Sequence, residues 1–133
     1  MSLTAQTVQT LYTDISQGNL SRILSVIDQN TVIYKPDSLP YGGVYKGRDG
    51  LISLMTAVNQ TWASMQVIPT SVINSDREIV ITGQCIGKAW TTAKEIRFPF
   101  VHLWKLLPDL VTEIWLYYWD TAQIITYLSA ANQ

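Results

Sequence analysis

Along the first quarter of the chain apolar residues recur every three or four positions, the repeat of a helix with one buried face. Val8, Leu11, Tyr12 and Ile15 make such a stripe over Thr4–Gln17, and Gly18 ends it. A second, shorter helix fits Asn19–Ile27, with Asn19 as N-cap and Leu20, Ile23, Leu24 and Ile27 on one face. Thr31–Lys35 reads as a strand stopped by Pro36, and Pro36–Arg48, with its prolines and glycines, reads as loop. Leu51, Ile52, Leu54, Met55 and Val58 then predict a third helix over Asp49–Gln60. From there the period drops to two. Four long strands are expected at Trp62–Asn74, Glu78–Trp90, Glu95–Leu106 and Val111–Trp119, joined by connections short enough to make antiparallel hairpins. A helix over Thr121–Ala131, carrying Ile124, Ile125 and Leu128, closes the chain. Helices first and strands afterwards predict one α+β domain over residues 1–133, with helices covering one face of a curved antiparallel sheet.

The last strand says what its other face needs. Alternation puts Ile114, Leu116, Tyr118 and Asp120 on one side and Glu113, Trp115, Tyr117 and Trp119 on the other. Both sides are strongly apolar, so both call for cover. Helices supply one; a second copy of the chain packed through Trp115, Tyr117 and Trp119 is the simplest cover for the other. Composition strengthens this expectation of a homodimer. Charged residues make up 14% of the chain and hydrophobic ones 47%, against about 25% charged in an average domain. Five Trp and seven Tyr exceed what a small interior absorbs, so some apolar surface should face a partner subunit, a ligand cavity, or both.

Charge excludes other classes of partner. Nine Lys and Arg against ten Asp and Glu leave a net charge of -1 and no basic run, so nucleic acid is not an expected partner. Every long apolar run is broken by Lys, Asp, Glu or Pro, so no membrane association is expected. The polar, periodic start lacks the basic and apolar regions of a secretory leader, which points to a cytoplasmic protein. Cys85 is the one cysteine, and no His, Cys and carboxylate cluster has metal-ligand spacing, so neither a disulfide, a metal nor a cofactor is expected.

Three segments, in order, carry a resemblance: G-x-Y-x-G-R-D at Gly43–Asp49, F-P-F-V-H-L-W at Phe98–Trp104 and Y-Y-W-D-T at Tyr117–Thr121. With the order of elements, they resemble the SnoaL-like (polyketide cyclase) and ketosteroid isomerase-related proteins of the nuclear transport factor 2-like superfamily. The resemblance implies a conical α+β fold, its curved, mostly antiparallel sheet wrapped around N-terminal helices, with a deep apolar pocket and frequent dimers. It does not imply one chemistry, since isomerases, cyclases, hydrolases and non-catalytic members share the fold. Where ketosteroid isomerases place a general-base Asp before the proline after the first strand, this chain has Lys35 before Pro36. Where limonene epoxide hydrolases carry an Arg-x-Asp pair on a middle strand, it has Gln84 and Ile86, although Asp120 resembles their last-strand Asp.

The candidate catalytic residues are therefore Asp120 and His102. Asp120 ends an apolar strand, where a carboxylate turned toward the cavity would suit a general acid or base; it can equally serve as N-cap of the last helix. His102 is the single histidine and suits proton transfer near neutral pH. Its direction depends on the hairpin. A three-residue connection at Pro108–Asp109–Leu110 sets His102 opposite Leu116 and Asp120 opposite Phe98, whereas a two-residue turn reverses the parity and sends His102 to the Trp115 side. The resemblance favours the first register. Tyr12, Tyr34, Gln84, Trp90, Phe100, Trp104 and Tyr118 are the expected ligand-binding residues, with core packing as the alternative role for each. The expected function is binding of a small, largely apolar molecule of polyketide, terpenoid or steroid type, with cofactor-independent acid–base chemistry of the isomerase, cyclase or hydrolase kind. A non-catalytic carrier or sensor and a protein-interaction module are the alternatives.

Overall fold

The computed structural model describes residues 3–131; residues 1–2 and 132–133, at the ends of the expected domain, lie outside the described residues. The elements run α1 (Ala5–Ser16), α2 (Ser21–Ser25), β1 (Val32–Lys35), β2 (Gly43–Lys46), α3 (Gly47–Thr61), β3 (Trp62–Asn74), β4 (Glu78–Ala89), β5 (Ile96–Leu107), β6 (Leu110–Tyr118) and α4 (Thr121–Ala131). The Thr4 hydroxyl caps α1 by accepting from the Thr7 amide, and Asn19 accepts from the Ser21 amide at the start of α2.

One strand was not foreseen. Within the expected loop, residues 43–46 pair antiparallel with β1, from Val32 opposite Lys46 to Lys35 opposite Gly43. Glycines hide this strand in the sequence and make it possible in space. A Cβ on Gly42 would lie 2.0 Å from the Pro36 carbonyl oxygen, and Gly43 and Gly47 adopt positive φ of 126° and 69°.

The six strands form one sheet in the order β2-β1-β6-β5-β4-β3. All neighbours are antiparallel except β1 and β6, where Tyr34 lies beside Trp115. Along β4 and β5 buried residues alternate with more exposed ones: Ile79, Ile81, Gly83, Cys85 and Gly87 on one strand, Phe98, Phe100, His102 and Trp104 on the other. This inner face packs against Val8 and Leu11 of α1, Leu51 and Leu54 of α3, and Ile124 and Leu128 of α4 to form the core. The α+β architecture is thus the one the sequence predicts.

The β5–β6 hairpin reaches the expected parity by an unexpected route. Its turn has two residues, Pro108 and Asp109, because Leu107 pairs with Leu110. Such a turn alone would place His102 on the Trp115 side. Thr112 instead bulges out, so that Leu106 faces Val111 while Lys105 faces Glu113, and the Thr112 hydroxyl bonds the Lys105 carbonyl at 3.0 Å. The bulge restores the lost residue of phase, and His102 pairs with Leu116.

The close approach of β3 to β4 at the other edge depends on Gly83. A Cβ there would lie 2.1 Å from the Ile68 carbonyl oxygen and 2.7 Å from Phe100 Cε2, next to the bulge between Pro69 and Ser71. Gly83→Ala is therefore expected to cost about 1–3 kcal/mol by overpacking. Urea denaturation should show a lower midpoint at unchanged slope; an unchanged midpoint would contradict so close a crossing.

Candidate functional site

Between the helices and the inner sheet face lies a cavity of about 570 Å³. Four strands contribute through their alternation, Ile33 and Lys35 from β1, Cys85 from β4, Phe98, His102 and Trp104 from β5, Ile114, Leu116 and Tyr118 from β6, and the start of β3 adds the consecutive residues 62–67. Leu51, Leu54, Met55 and Val58 of α3 and Tyr12 and Ile15 of α1 close the other side. The wall is mostly apolar and aromatic, with two polar clusters set into it.

The first cluster joins α1 to β5. Trp104 Nε1 donates to the Tyr12 hydroxyl at 3.0 Å, and that hydroxyl lies 2.7 Å from His102 Nδ1. An indole nitrogen can only donate, so the phenol proton remains free for His102 Nδ1. This assignment leaves the His102 proton on Nε2, which is buried and has no partner. Burial, and then the nearby charge of Lys35, hold the His102 pKa well below its usual value, so the ring is neutral at pH 7. Tyr12 is driven the other way: burial raises its pKa well above that of a free phenol, although the Trp104 bond opposes the rise. His102 is thus tied to Tyr12 through Nδ1, while its Nε2 is buried without a partner.

The second cluster is centred on Lys35. Its ammonium donates to the Tyr118 hydroxyl at 2.5 Å and sits 4.9 Å and 5.3 Å from the ring centroids of Tyr118 and Tyr41. Tyr41 is itself held, its hydroxyl accepting from Trp62 Nε1 at 2.9 Å and its carbonyl from the Tyr45 hydroxyl at 2.7 Å. No Asp, Glu or Arg lines the cavity among the described residues, so the Lys35 charge has no ionic partner there. Burial lowers the Lys35 pKa to about 8, and burial pushes Tyr41 and Cys85 up to about 12 each. Tyr118 also rises, mainly by burial. The two clusters meet at Tyr118, whose ring lies edge-on to His102 at 6.4 Å.

Four of the nine expected site residues line this cavity: His102, Tyr12, Trp104 and Tyr118. Asp120 does not. It lies beyond the end of β6, exposed, and its carboxylate accepts from the Ala122 and Gln123 amides at 3.0 and 3.3 Å as N-cap of α4. The expected juxtaposition with His102 is therefore corrected: the strand ends at Tyr118, before alternation could carry Asp120 inward. Tyr34 points to the outer face and stacks on Trp115 at 3.7 Å, because its neighbours Ile33 and Lys35 take the inner positions. Gln84 lies on the face opposite Cys85, one residue out of phase with the expectation. Trp90 follows the end of β4, is 65% exposed and bonds the Asn59 carbonyl. Phe100 is buried beneath His102, at 4.2 Å between rings, and packs the core without lining the cavity.

Lys35 and Cys85 are not foreseen by the sequence reading, and Tyr41 only as one of three tyrosines, with Tyr34 and Tyr45, flanking the Gly-rich loop near the pocket mouth. Alternation in TVIYK pairs Lys35 with Ile33, a signal that could have found it; Tyr41 lies in a loop and carries no such signal. Among the described residues no three His, Cys, Asp or Glu side chains gather as metal ligands, and no helix is long and apolar enough to cross a membrane.

The same fold occurs in other proteins. An NTF2-like protein of unknown function from Burkholderia pseudomallei K96243 superposes with a TM-score of 0.85 at 26% identity, over 92% of this chain and 95% of that one. TerC, co-crystallised with polyporic acid, gives 0.84 at 17% identity over 93% and 96%. A protein with a ketosteroid isomerase-like fold from Catenulispora acidiphila DSM 44928, in complex with trimethylamine, gives 0.75 at 13% identity over 87% of each chain. No curated protein matches the sequence significantly. The family profile for the SnoaL-like domain matches residues 8–114, and on that match the chain belongs to the SnoaL-like family.

Proposed function

We propose that this protein binds a small, largely apolar molecule carrying one acidic oxygen, an enol, phenol or carboxylic acid, and holds it as the anion. The carrying observation is Lys35, a cation inside an apolar cavity with no carboxylate to balance it. A ligand anion there would gain a charge-assisted hydrogen bond where water is scarce. His102, which lines the same cavity with a buried and partnerless Nε2, would be the second donor. The neighbours support no narrower choice by themselves, since one was crystallised with an acid and another with an amine. The ligand class follows from this chain's own residues.

The same two donors would favour the enolate of a carbonyl ligand over its keto form, which is the electrostatic requirement of isomerase- and cyclase-type proton transfer without a cofactor. A carrier that binds without turnover is the second reading, favoured by the absence of a carboxylate base among the residues that line the cavity. Solvent-deuterium exchange at the α-carbon of a bound ketone separates the two: acceleration supports catalysis, and binding without it supports the carrier.

Binding itself is tested with matched pairs, an aryl carboxylate and its primary amide, followed through the fluorescence of Trp62 and Trp104, which both line the cavity. The acid should bind at least about ten-fold more tightly, and Lys35→Met should abolish the difference. The sign of the pH dependence follows from Lys35. Its ammonium is present below about pH 8 and is lost above, so acid affinity should hold from pH 6 to 7.5 and fall at higher pH, while amide affinity stays flat. Equal affinity of acid and amide at pH 7 would overturn the proposal.

The partner reading completes this. Across the outer face runs an apolar band of Tyr34, Trp115, Leu103 and Val80, flanked by Tyr117 and Val101. Tyr34, Trp115 and Tyr117 stack in sequence at 3.7 and 6.3 Å, and Trp119 beyond them is 86% exposed. A second copy related by a two-fold axis would cover such a face with its own equivalent. Tyr117→Arg together with Trp119→Asp should convert a dimer into a monomer in analytical ultracentrifugation, with unchanged ligand affinity. A native chain that sediments as a monomer would contradict this assembly.

A further inference from the structure

We propose that Lys35 is also a nucleophile, whose amine condenses with the carbonyl of an apolar ketone or aldehyde held in the cavity. This rests on the reading of the cavity as a site for small apolar molecules and narrows that class to carbonyl compounds.

Geometry carries the argument. The Lys35 amine lies inside the cavity, on the inner face of β1, and its one hydrogen-bond partner there is a neutral phenol, the Tyr118 hydroxyl at 2.5 Å. A buried structural lysine is ordinarily matched by a carboxylate, which would keep it protonated. Here the titratable groups facing it are Tyr118 from β6, Tyr41 from the β1–β2 loop, Cys85 from β4, His102 from β5 and Tyr12 from α1. All are neutral at pH 7 to 8, because burial raises the phenols and the thiol and lowers the imidazole. The faces of Tyr41 and Tyr118 favour the proton on nitrogen, but no negative charge holds it there. At pH 8 about half of Lys35 is free amine, against about 0.3% of an exposed lysine. Desolvation of a lysine in an apolar site is a general route to an amine that attacks carbonyls.

The step balances without a further reagent. The Nζ lone pair attacks the carbonyl carbon, and the C=O π pair moves to oxygen, which takes up a proton. Nitrogen gives up one proton as the carbinolamine forms, the hydroxyl departs as water with a second proton, C=N forms, and nitrogen then releases its remaining proton to restore the one consumed. The net change is amine plus carbonyl to imine plus one water. The Tyr118 hydroxyl, beside the nitrogen, is placed to hand a proton to the departing oxygen and to regain one from nitrogen. With a 1,3-diketone, shift of one α-proton to nitrogen turns the imine into a conjugated enaminone that persists without reduction.

That last property sets the experiment. The intact protein is incubated at pH 8 with 1-phenylbutane-1,3-dione and followed by near-ultraviolet absorbance, intact mass and peptide mapping. One adduct per chain is expected, equal to the ligand mass less one water, on the peptide carrying Lys35. Its rate should rise with pH and level off above about pH 8. Lys35→Met and Lys35→Arg should both lose the adduct, the second keeping the charge and so the affinity for aryl carboxylates. Tyr118→Phe should slow the adduct at least ten-fold while still forming it. Absence of an adduct on Lys35, or modification spread equally over Lys46, Lys88, Lys94 and Lys105, overturns the proposal. Quenching of tryptophan fluorescence by the diketone without an adduct overturns the nucleophile alone and leaves the binding site standing; neither quenching nor adduct overturns both.

Discussion

A two-residue turn and a one-residue bulge together decide which side chains of β6 meet the helices. Leu107 and Leu110 close the turn, and Thr112 then steps out of register before Glu113 rejoins β5. Because strand side chains alternate, that single step assigns every residue after it. Ile114, Leu116 and Tyr118 turn inward to the cavity, and Trp115 and Tyr117 turn to the outer face. Without the bulge the two sets would exchange. Tyr118 would leave Lys35, and the stacked aromatic row would face α3. The Lys35–Tyr118 contact and the Trp115 and Tyr117 part of the outer apolar band are consequences of one local irregularity, fastened by the Thr112 hydroxyl on the Lys105 carbonyl.

The second constraint is energetic. Lowering the Lys35 pKa from 10.5 to about 8 corresponds to about 3 kcal/mol of disfavour for the charged form, at about 1.4 kcal/mol per unit. Tyr118 and the two ring faces offset part of the lost hydration, but neither supplies a negative charge. A methionine of similar length would fill the same space without that cost. The fold tolerates the lysine because β1 is anchored on both sides, by β2 and by β6, and by the Thr31 hydroxyl on the Val111 carbonyl at 2.6 Å. An uncompensated charge in an apolar cavity is a standing preference for whatever can compensate it, which is why an acidic oxygen and an electrophilic carbonyl both follow from the same side chain.

Long periodic segments were legible in the sequence, and short or irregular ones were not. All four helices and the four long strands stand where 3.6- and 2-residue repeats put them, within a residue or two. The strand at residues 43–46 escaped because its four residues begin at a glycine of positive φ, so its identity comes from pairing with β1 and not from its own pattern. Cavity lining was legible where alternation could be anchored: His102, Trp104 and Tyr118 face the cavity, as does Tyr12 from its helix stripe. It failed where a strand ends or where phase had no anchor. Asp120 and Trp90 follow the last residues of β6 and β4, and Gln84 sits in a strand where Gly83 and Gly87 erase the apolar contrast that fixes phase. In the sequence Lys35 reads as the loss of a base and not as the gain of a cation, because a charge within an apolar strand looks like a mismatch until the strand's neighbours are known.

Adjacent residues of β1 also tie the two faces of the sheet together. Tyr34 stacks outward on Trp115 at 3.7 Å, while Lys35, next in the chain, reaches inward to Tyr118. Trp115 and Tyr118 belong in turn to the same strand, three residues apart. The pairing of β1 with β6 is thus held by an aromatic stack on one side and an ammonium–phenol bond on the other, and both depend on the parallel register that sets Tyr34 beside Trp115. A partner that rigidifies the outer stack would restrict the freedom of Lys35 to leave Tyr118, and a ligand that draws Lys35 away would loosen the inner half of the same pairing. Coupling between an occupied cavity and a covered outer face therefore needs no long path through the molecule, since one two-residue segment of β1 belongs to both.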